Sequence, residues 1–369
     1  MRRLLTVILL LFTVNHFMVA CTPESDKLPE PEISYTPDYD NGEVIYINVK
    51  IAIDKKGWES RTPEFYKENL AQQWDQINIR FNVCDRKQQL QRRYIFKPDL
   101  EDIIVYEGCS YWGDNGADTK VVKRMDKQIF KLAVIYDFYY QGQEHGEYGG
   151  GCGDFDGIGT ILVINASEAM KDKYNNHFDQ YTYRAITHEL GHFRGVIDLY
   201  TYVVEAKNNP VSHEGFMPWH CLMNDYCYTP DQESAWSDYA IKIFNKTGNT
   251  KRANLINGLL YEDFANKLDV SVTKDNQPIN AALRLYPVHY GKVDVNPSFS
   301  YDVVDGKFTI PDMRALFFKN PDVLWDRYHL FLVEAVVDGT KQYSWLADYM
   351  LHNAGLDNEE SYLLSFTFH

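Results

Sequence analysis

The chain has 369 residues, and its 52 acidic residues outnumber 37 basic ones, giving a net charge of −15 at pH 7. That excess of carboxylates leaves no broad basic face, which excludes nucleic acid and anionic lipid headgroups as charge-matched partners. Aromatic residues make up 15%, with 27 tyrosines, which fits an extracytoplasmic, β-rich protein and names no ligand.

The N-terminus reads as a processing signal. Arg2-Arg3 precede an apolar run over residues 4–14 that is too short to span a bilayer as a mature helix. No later segment is apolar for long enough to do so. The run ends in Met18-Val19-Ala20-Cys21, which resembles the lipobox of bacterial lipoproteins, cleaved after residue 20 so that Cys21 carries the lipid. The alternative is a simple secretory peptide with an incidental cysteine. Thr22 is not the aspartate associated with inner-membrane retention, and Glu24 with Asp26 resembles the acidic export tag of Bacteroidetes surface lipoproteins. The expected address is therefore the outer membrane, facing the cell surface or the periplasm. Removing residues 1–20 takes away two arginines and no acid, so the net charge becomes −17.

Residues 21–42 are proline-rich, acidic and aperiodic, a tether between lipid and fold. Residues 44–53 (VIYINVKIAI) alternate and are β-branched, predicting a strand. Thr62-Pro63-Glu64 opens a helix, with Thr62 as its cap, that runs through Leu70 and Trp74 toward Ile77. Residues 94–106 predict one or two strands and residues 131–140 another. The stretch 149–159 (GGGCGDFDGIG) lacks the Gly-Lys-Ser/Thr ending of a phosphate loop, which disfavours nucleotide. Turn chemistry accounts for Asp154 and Asp156, with a calcium site as the alternative. Residues 160–165 (TILVIN) predict a further strand. Thr229-Pro230-Asp231-Gln232 opens a helix whose apolar side is Trp236, Tyr239, Ile241 and Phe244. From about residue 266 short alternating runs and Asp-Gly turns predict a small all-β sandwich over 266–369, an accessory or binding module. Of the cysteines beyond Cys21, Cys221 is close enough in sequence to Cys227 to staple a loop, Cys84 with Cys109 is a second pair, and Cys152 is left over.

The chemistry concentrates in residues 187–198 (THELGHFRGVID). On a helix, His188 and His192 lie four apart and aim both imidazoles at one point. Zinc accepts neutral imidazole nitrogen, and a catalytic zinc uses three protein ligands and a water. Glu189 is rotated about 100° around the helix from His188, which suits it to hold that water rather than the metal. Zinc lowers the water's pKa to roughly 7, and Glu189 takes its proton as general base. Gly195 permits a left-handed turn at the helix C-terminus, after which Asp198 can swing back as third ligand. Ala185, Ile186 and Leu190 supply the buried side of the helix.

The run His188-Glu189-x-x-His192-x-x-Gly195-x-x-Asp198 resembles the metzincin clan of zinc peptidases, with Asp in place of the usual third His as in the snapalysin and immune-inhibitor-A variants. The resemblance implies an α+β zincin (metzincin-like) catalytic domain over residues 43–250, one catalytic zinc ion, and hydrolysis of extracellular proteins or peptides. It also implies a methionine turn beneath the zinc, for which Met223 is the candidate and Met217 the competitor. Many metzincins carry a tyrosine two residues after that methionine; here Asp225 stands there and Tyr226 follows. The strand at 160–165 would be the exposed edge that pairs with substrate backbone. Glu214 is a rival third ligand at nearly the gluzincin interval, but its surroundings show little helical pattern and a gluzincin needs no turn at Gly195. His213 and His220 are read as structural or cleft-lining. An anionic third ligand makes the zinc a weaker Lewis acid, so the expected pH optimum is at or above neutrality. Two other functions remain open: a cell-surface binding lipoprotein on a zincin scaffold, and a zinc amidase acting on a non-protein polymer. A purely structural zinc site would have no need of Glu189 as a base.

Overall fold

The computed structural model describes residues 43–85, 87, 89–108, 116–138, 149–164, 178, 180–224, 235–247, 263–317 and 328–369. These residues all fall within one compact unit. Cys21, the tether, and Cys109, Asp225, Tyr226, Cys227 and Thr229–Gln232 lie outside the described residues. Among the described residues no helix is long and apolar enough to cross a membrane.

The N-terminal part is built on a five-stranded sheet. Its strands are β1 (Val44–Asp54), β2 (Arg93–Tyr106), β3 (Leu132–Asp137), β4 (Gly149–Phe155) and β5 (Ile158–Ile164), in the order β2-β1-β3-β5-β4. The first four in that order run parallel, and β4 returns antiparallel to β5 through Asp156-Gly157, both at positive φ. The apolar alternation of β1 explains the layering. Val49, Ile51 and Ile53 enter one core and Ala52 enters another on the opposite face. Residues 94–106 form a single strand whose register slips at Lys50, and Asp99 and Asp102 in the slipped segment hold the buried Lys50 ammonium at 2.8 and 2.6 Å.

Helix α1 (Lys55–Ser60) follows β1 directly, and α2 (Pro63–Val83) covers the first face, capped by Thr62 Oγ1, which accepts the Phe65 N–H at 3.2 Å. Leu70, Trp74, Ile77 and Phe81 form its buried stripe. Helix α3 (Ala117–Val122) covers the opposite face. Helix α4 (Gln180–Phe193) packs beside α2 and against β4 and β5, and Gly159 leaves room for the Phe193 ring, which an added Cβ would meet at 2.5 Å. Helix α5 (Asp238–Thr247) closes this layer with Tyr239, Ile241 and Phe244 buried. Trp236 precedes that helix, and its indole N–H donates to Phe81 O at 2.7 Å.

The strand predicted at 160–165 is not an edge. It is β5, paired on both sides, and the strand beyond it, an edge of the sheet among the described residues, is the glycine-rich β4, where the sequence predicted no strand. Glycine has low strand propensity, so composition hid a strand that pairing with β5 imposes. Asp154 accepts the Gly157 N–H at 3.1 Å and Asp156 pairs with Lys127, so both carboxylates serve the turn and its surroundings.

The C-terminal strands are β6 (Lys267–Lys274), β7 (Gln277–Pro278), β8 (Ala281–His289), β9 (Lys292–Val293), β10 (Phe299–Val303), β11 (Lys307–Ile310), β12 (Leu330–Val337), β13 (Thr340–Ala347) and β14 (Ser361–Phe368). One sheet has the order β10-β8-β12-β13 and the other β11-β6-β14, and residues of both share one core that includes Val270, Leu285, Val333 and Phe366. This part is not all β. Helix α6 (Met313–Phe317) joins that core, and α7 (Asp348–Leu356) crosses between β13 and β14, which lie in different sheets. Tyr286, Leu330, Leu332, Ala347 and Tyr349 also enter the N-terminal core, so the two parts share apolar packing.

Candidate metal centre

The site begins with how α4 ends. Val196 N–H donates to Gly191 O at 3.0 Å and Gly195 N–H to His192 O at 2.9 Å, the paired bonds of a Schellman turn. Gly195 takes φ +103°, which a residue with a Cβ would adopt only under strain. The chain reverses there, and Asp198 returns alongside the last turns of the helix.

The reversal brings three donor atoms together. Asp198 Oδ1 lies 3.0 Å from His188 Nε2 and 3.0 Å from His192 Nε2. Among the described residues this is the only group of three or more His, Cys, Asp or Glu side chains spaced to hold a metal ion. The far nitrogens are each directed at a backbone carbonyl: His188 Nδ1 lies 3.1 Å from Leu222 O, and His192 Nδ1 lies 2.8 Å from Val196 O. A carbonyl can only accept, so each Nδ1 carries a hydrogen, and in the neutral ring Nε2 presents its lone pair. Two imidazole nitrogens and a carboxylate oxygen thus converge, an arrangement that could hold a metal ion. Burial alone pushes the Asp198 carboxyl up, but the two imidazole rings of His188 and His192 set against it outweigh that and hold the carboxyl well below the usual carboxylate range.

The residues fit zinc. Tetrahedral ligands about 2.0–2.1 Å from the ion sit about 3.3 Å from one another, close to the separations between Asp198 and each histidine. Two neutral imidazoles and one carboxylate match its ligand preference and leave one tetrahedral position for a non-protein ligand. The carbonyls of Leu222 and Val196 fix the ring tautomers, the usual role of groups behind a metal-bound histidine.

Beneath the site lies the turn Cys221–Asn224, closed by Asn224 N–H to Cys221 O at 2.8 Å. Met223 is fully buried, and an alanine Cβ at Gly191 would lie 2.7 Å from its sulfur. Gly191, inside the histidine motif, is therefore the gap that the methionine fills. Met223 O also accepts the N–H groups of Leu199 at 2.9 Å and Tyr200 at 3.3 Å, tying the floor to the segment after Asp198. Met217, the competitor, is exposed.

Glu189 is buried beside His188 on α4, with Ile186 and Leu190 in the core and Ala185 half-buried. Glu214, His213 and His220 are exposed and lie outside the ligand group. Cys221 is a free, buried thiol whose sulfur accepts the Ser237 N–H at 3.4 Å, and burial pushes its pKa up; Cys227, its expected partner, lies outside the described residues. Sequence reasoning did not find Tyr200, stacked on His188 at 6.2 Å, or the roles of the Leu222 and Val196 carbonyls. Backbone acceptors have no side-chain signature. Gly191 did have one, since a glycine inside a helix costs about 1 kcal/mol relative to alanine and invites a packing reason.

Comparison of the chain with models of protein families gives no match, and comparison with curated proteins finds no similar one.

Proposed function

We propose that this chain is a zinc-dependent endopeptidase of metzincin type. It would be carried outside the cytoplasm on a lipid at Cys21 and would act on extracellular proteins or peptides. The observation that carries the reading is the convergence of His188 Nε2, His192 Nε2 and Asp198 Oδ1, with both far ring nitrogens committed to carbonyls. Zinc, when bound, supplies a Lewis acid that polarises a substrate carbonyl and acidifies a water.

The chain's own residues supply the remainder. His188, His192 and Asp198 hold the ion and add one negative charge. Glu189, buried beside His188, accepts the water's proton at its carboxylate and passes it toward the leaving amine. Strand β4, an edge among the described residues, lies against α4, which bears both histidines, so main-chain pairing of an extended peptide there would run a substrate past the ligands.

The test compares the unaltered chain with Glu189→Ala for zinc content and for cleavage of a mixed peptide library. Zinc retained by both, with cleavage lost in the variant by about 100-fold or more, is the expected result. Zinc bound but no peptide cut by either protein would turn the assignment to a binding lipoprotein or to an amidase of a non-protein polymer. Absence of zinc from both would end the metal reading.

A further inference from the structure

Asp198 is the ligand least supported by its own helix. It lies three residues beyond Gly195, with φ −68° and ψ 101°, and leads into the single 3-10 turn Leu199–Tyr202. One turn of this kind has little stability by itself. On one side it is held by Met223 O, as described above. On the other side the restraints come from the C-terminal strands and α7.

Tyr202 is buried, and its hydroxyl donates to Asp348 Oδ1 at 2.6 Å. Its ring meets Tyr349 edge-on at 4.9 Å and His329 at 6.0 Å. Asp348 is buried too: its Oδ2 lies 3.2 Å from His329 Nδ1, and its N–H donates to His329 O at 3.0 Å. Further along, Val204 and Phe216 exchange backbone hydrogen bonds of 2.9 and 2.8 Å, and the Phe216 ring packs on Trp345 at 5.2 Å. Gly291, at the tip of the β8–β9 hairpin, approaches Val203 O so closely that an added Cβ would lie 3.2 Å away. The segment carrying the third ligand is thus seated on β13, α7 and a hairpin of the C-terminal part.

We propose that the C-terminal part positions the metal ligand Asp198, and that the Tyr202–Asp348 hydrogen bond is the link through which it does so. Tyr202 and Asp348 are positioning residues and touch no ligand atom of the site. The inference rests on the reading of His188, His192 and Asp198 as metal ligands. It makes the C-terminal part a component of the metal centre rather than a detachable accessory.

The experiment measures zinc affinity of the full chain by competition with a chromogenic chelator, using zinc alone, and in parallel the thermal stability of the zinc-free protein. Tyr202→Phe removes one donor and keeps the ring. It should weaken zinc binding about tenfold, the lower end for groups that orient ligands. Asp348→Ala should weaken it to a similar degree, whereas Asp348→Asn keeps an oxygen acceptor and should largely restore it. Lys242→Met is the control, since Lys242 joins α5 to Asn353 and Asp357 at 3.1 and 2.5 Å without touching the Asp198 segment. It should lower stability and leave zinc affinity unchanged. Unaltered zinc affinity in Tyr202→Phe, or equal weakening in Lys242→Met, would overturn the proposal while leaving the metal reading intact. If the unaltered chain binds zinc no better than His188→Ala, both fall.

Discussion

Gly191→Ala is a sharp test of how the motif helix and the methionine floor fit together. At an uncrowded position this substitution stabilises a helix by about 1 kcal/mol. Here the new methyl would lie 2.7 Å from Met223 Sδ and 3.1 and 3.2 Å from two carbons of the Trp236 ring. Both neighbours are buried, so neither can swing into solvent. Overpacking of this kind typically costs about 1–3 kcal/mol, which cancels or exceeds the gain in propensity and leaves a net loss of up to about 2 kcal/mol. For a chain of this size that is at most about 3 °C in melting temperature. Urea denaturation of the zinc-free protein measures it directly. The effect should depend on the partner: Met223→Ala is itself destabilising by about 2–5 kcal/mol, but in that background Gly191→Ala should lose at least half its cost. A Gly191→Ala protein more stable than the original, or the same penalty with and without Met223, would refute the packing argument.

Two further substitutions probe separate parts of the fold. Gly195→Ala places a Cβ at φ +103° and should cost about 1–2 kcal/mol while loosening the turn that returns Asp198; chelator competition should show weaker zinc binding, and unaltered affinity would count against the turn's role. His352 is buried, its Nδ1 lies 2.9 Å from Tyr239 Oη, its ring is stacked on Phe264, and burial pushes its pKa down to about 3. The unfolded chain therefore binds a proton that the folded chain refuses. This contribution to stability is full above about pH 6.5 and is lost by up to about 1.4 kcal/mol per unit as pH falls toward 3. His352→Leu should flatten the fall in stability between pH 7 and pH 5, and an equal fall in both proteins would remove His352 as its source.

Local signals served where local physics decides. The capped start of α2 and its buried stripe follow from Thr62-Pro63 and apolar spacing, which depend on a few consecutive residues. The same holds for the hairpin at Asp275-Asn276, where both residues take positive φ, and for β12, whose apolar run leaves little choice of structure. The errors came where pairing or packing with another element, not the segment's own composition, decides. Strand β4 is poor in strand formers and exists through pairing with β5. Helix α7 lies between two strands of different sheets, a connection that strand periodicity does not encode.

The sequence by itself determined the chemistry available at the centre. Two histidines four apart, a glycine able to reverse the chain and an aspartate three residues later are short-range facts: helix geometry aims the two imidazoles at one point, and the glycine turn permits the aspartate's return. The tertiary structure decided what holds that convergence in place. Leu222 and Val196 turn their carbonyls to the imidazoles, Gly191 makes room for Met223, and Tyr202 reaches Asp348, 146 residues further along the chain. Such contacts depend on which surfaces meet after folding, and no spacing along the chain records that.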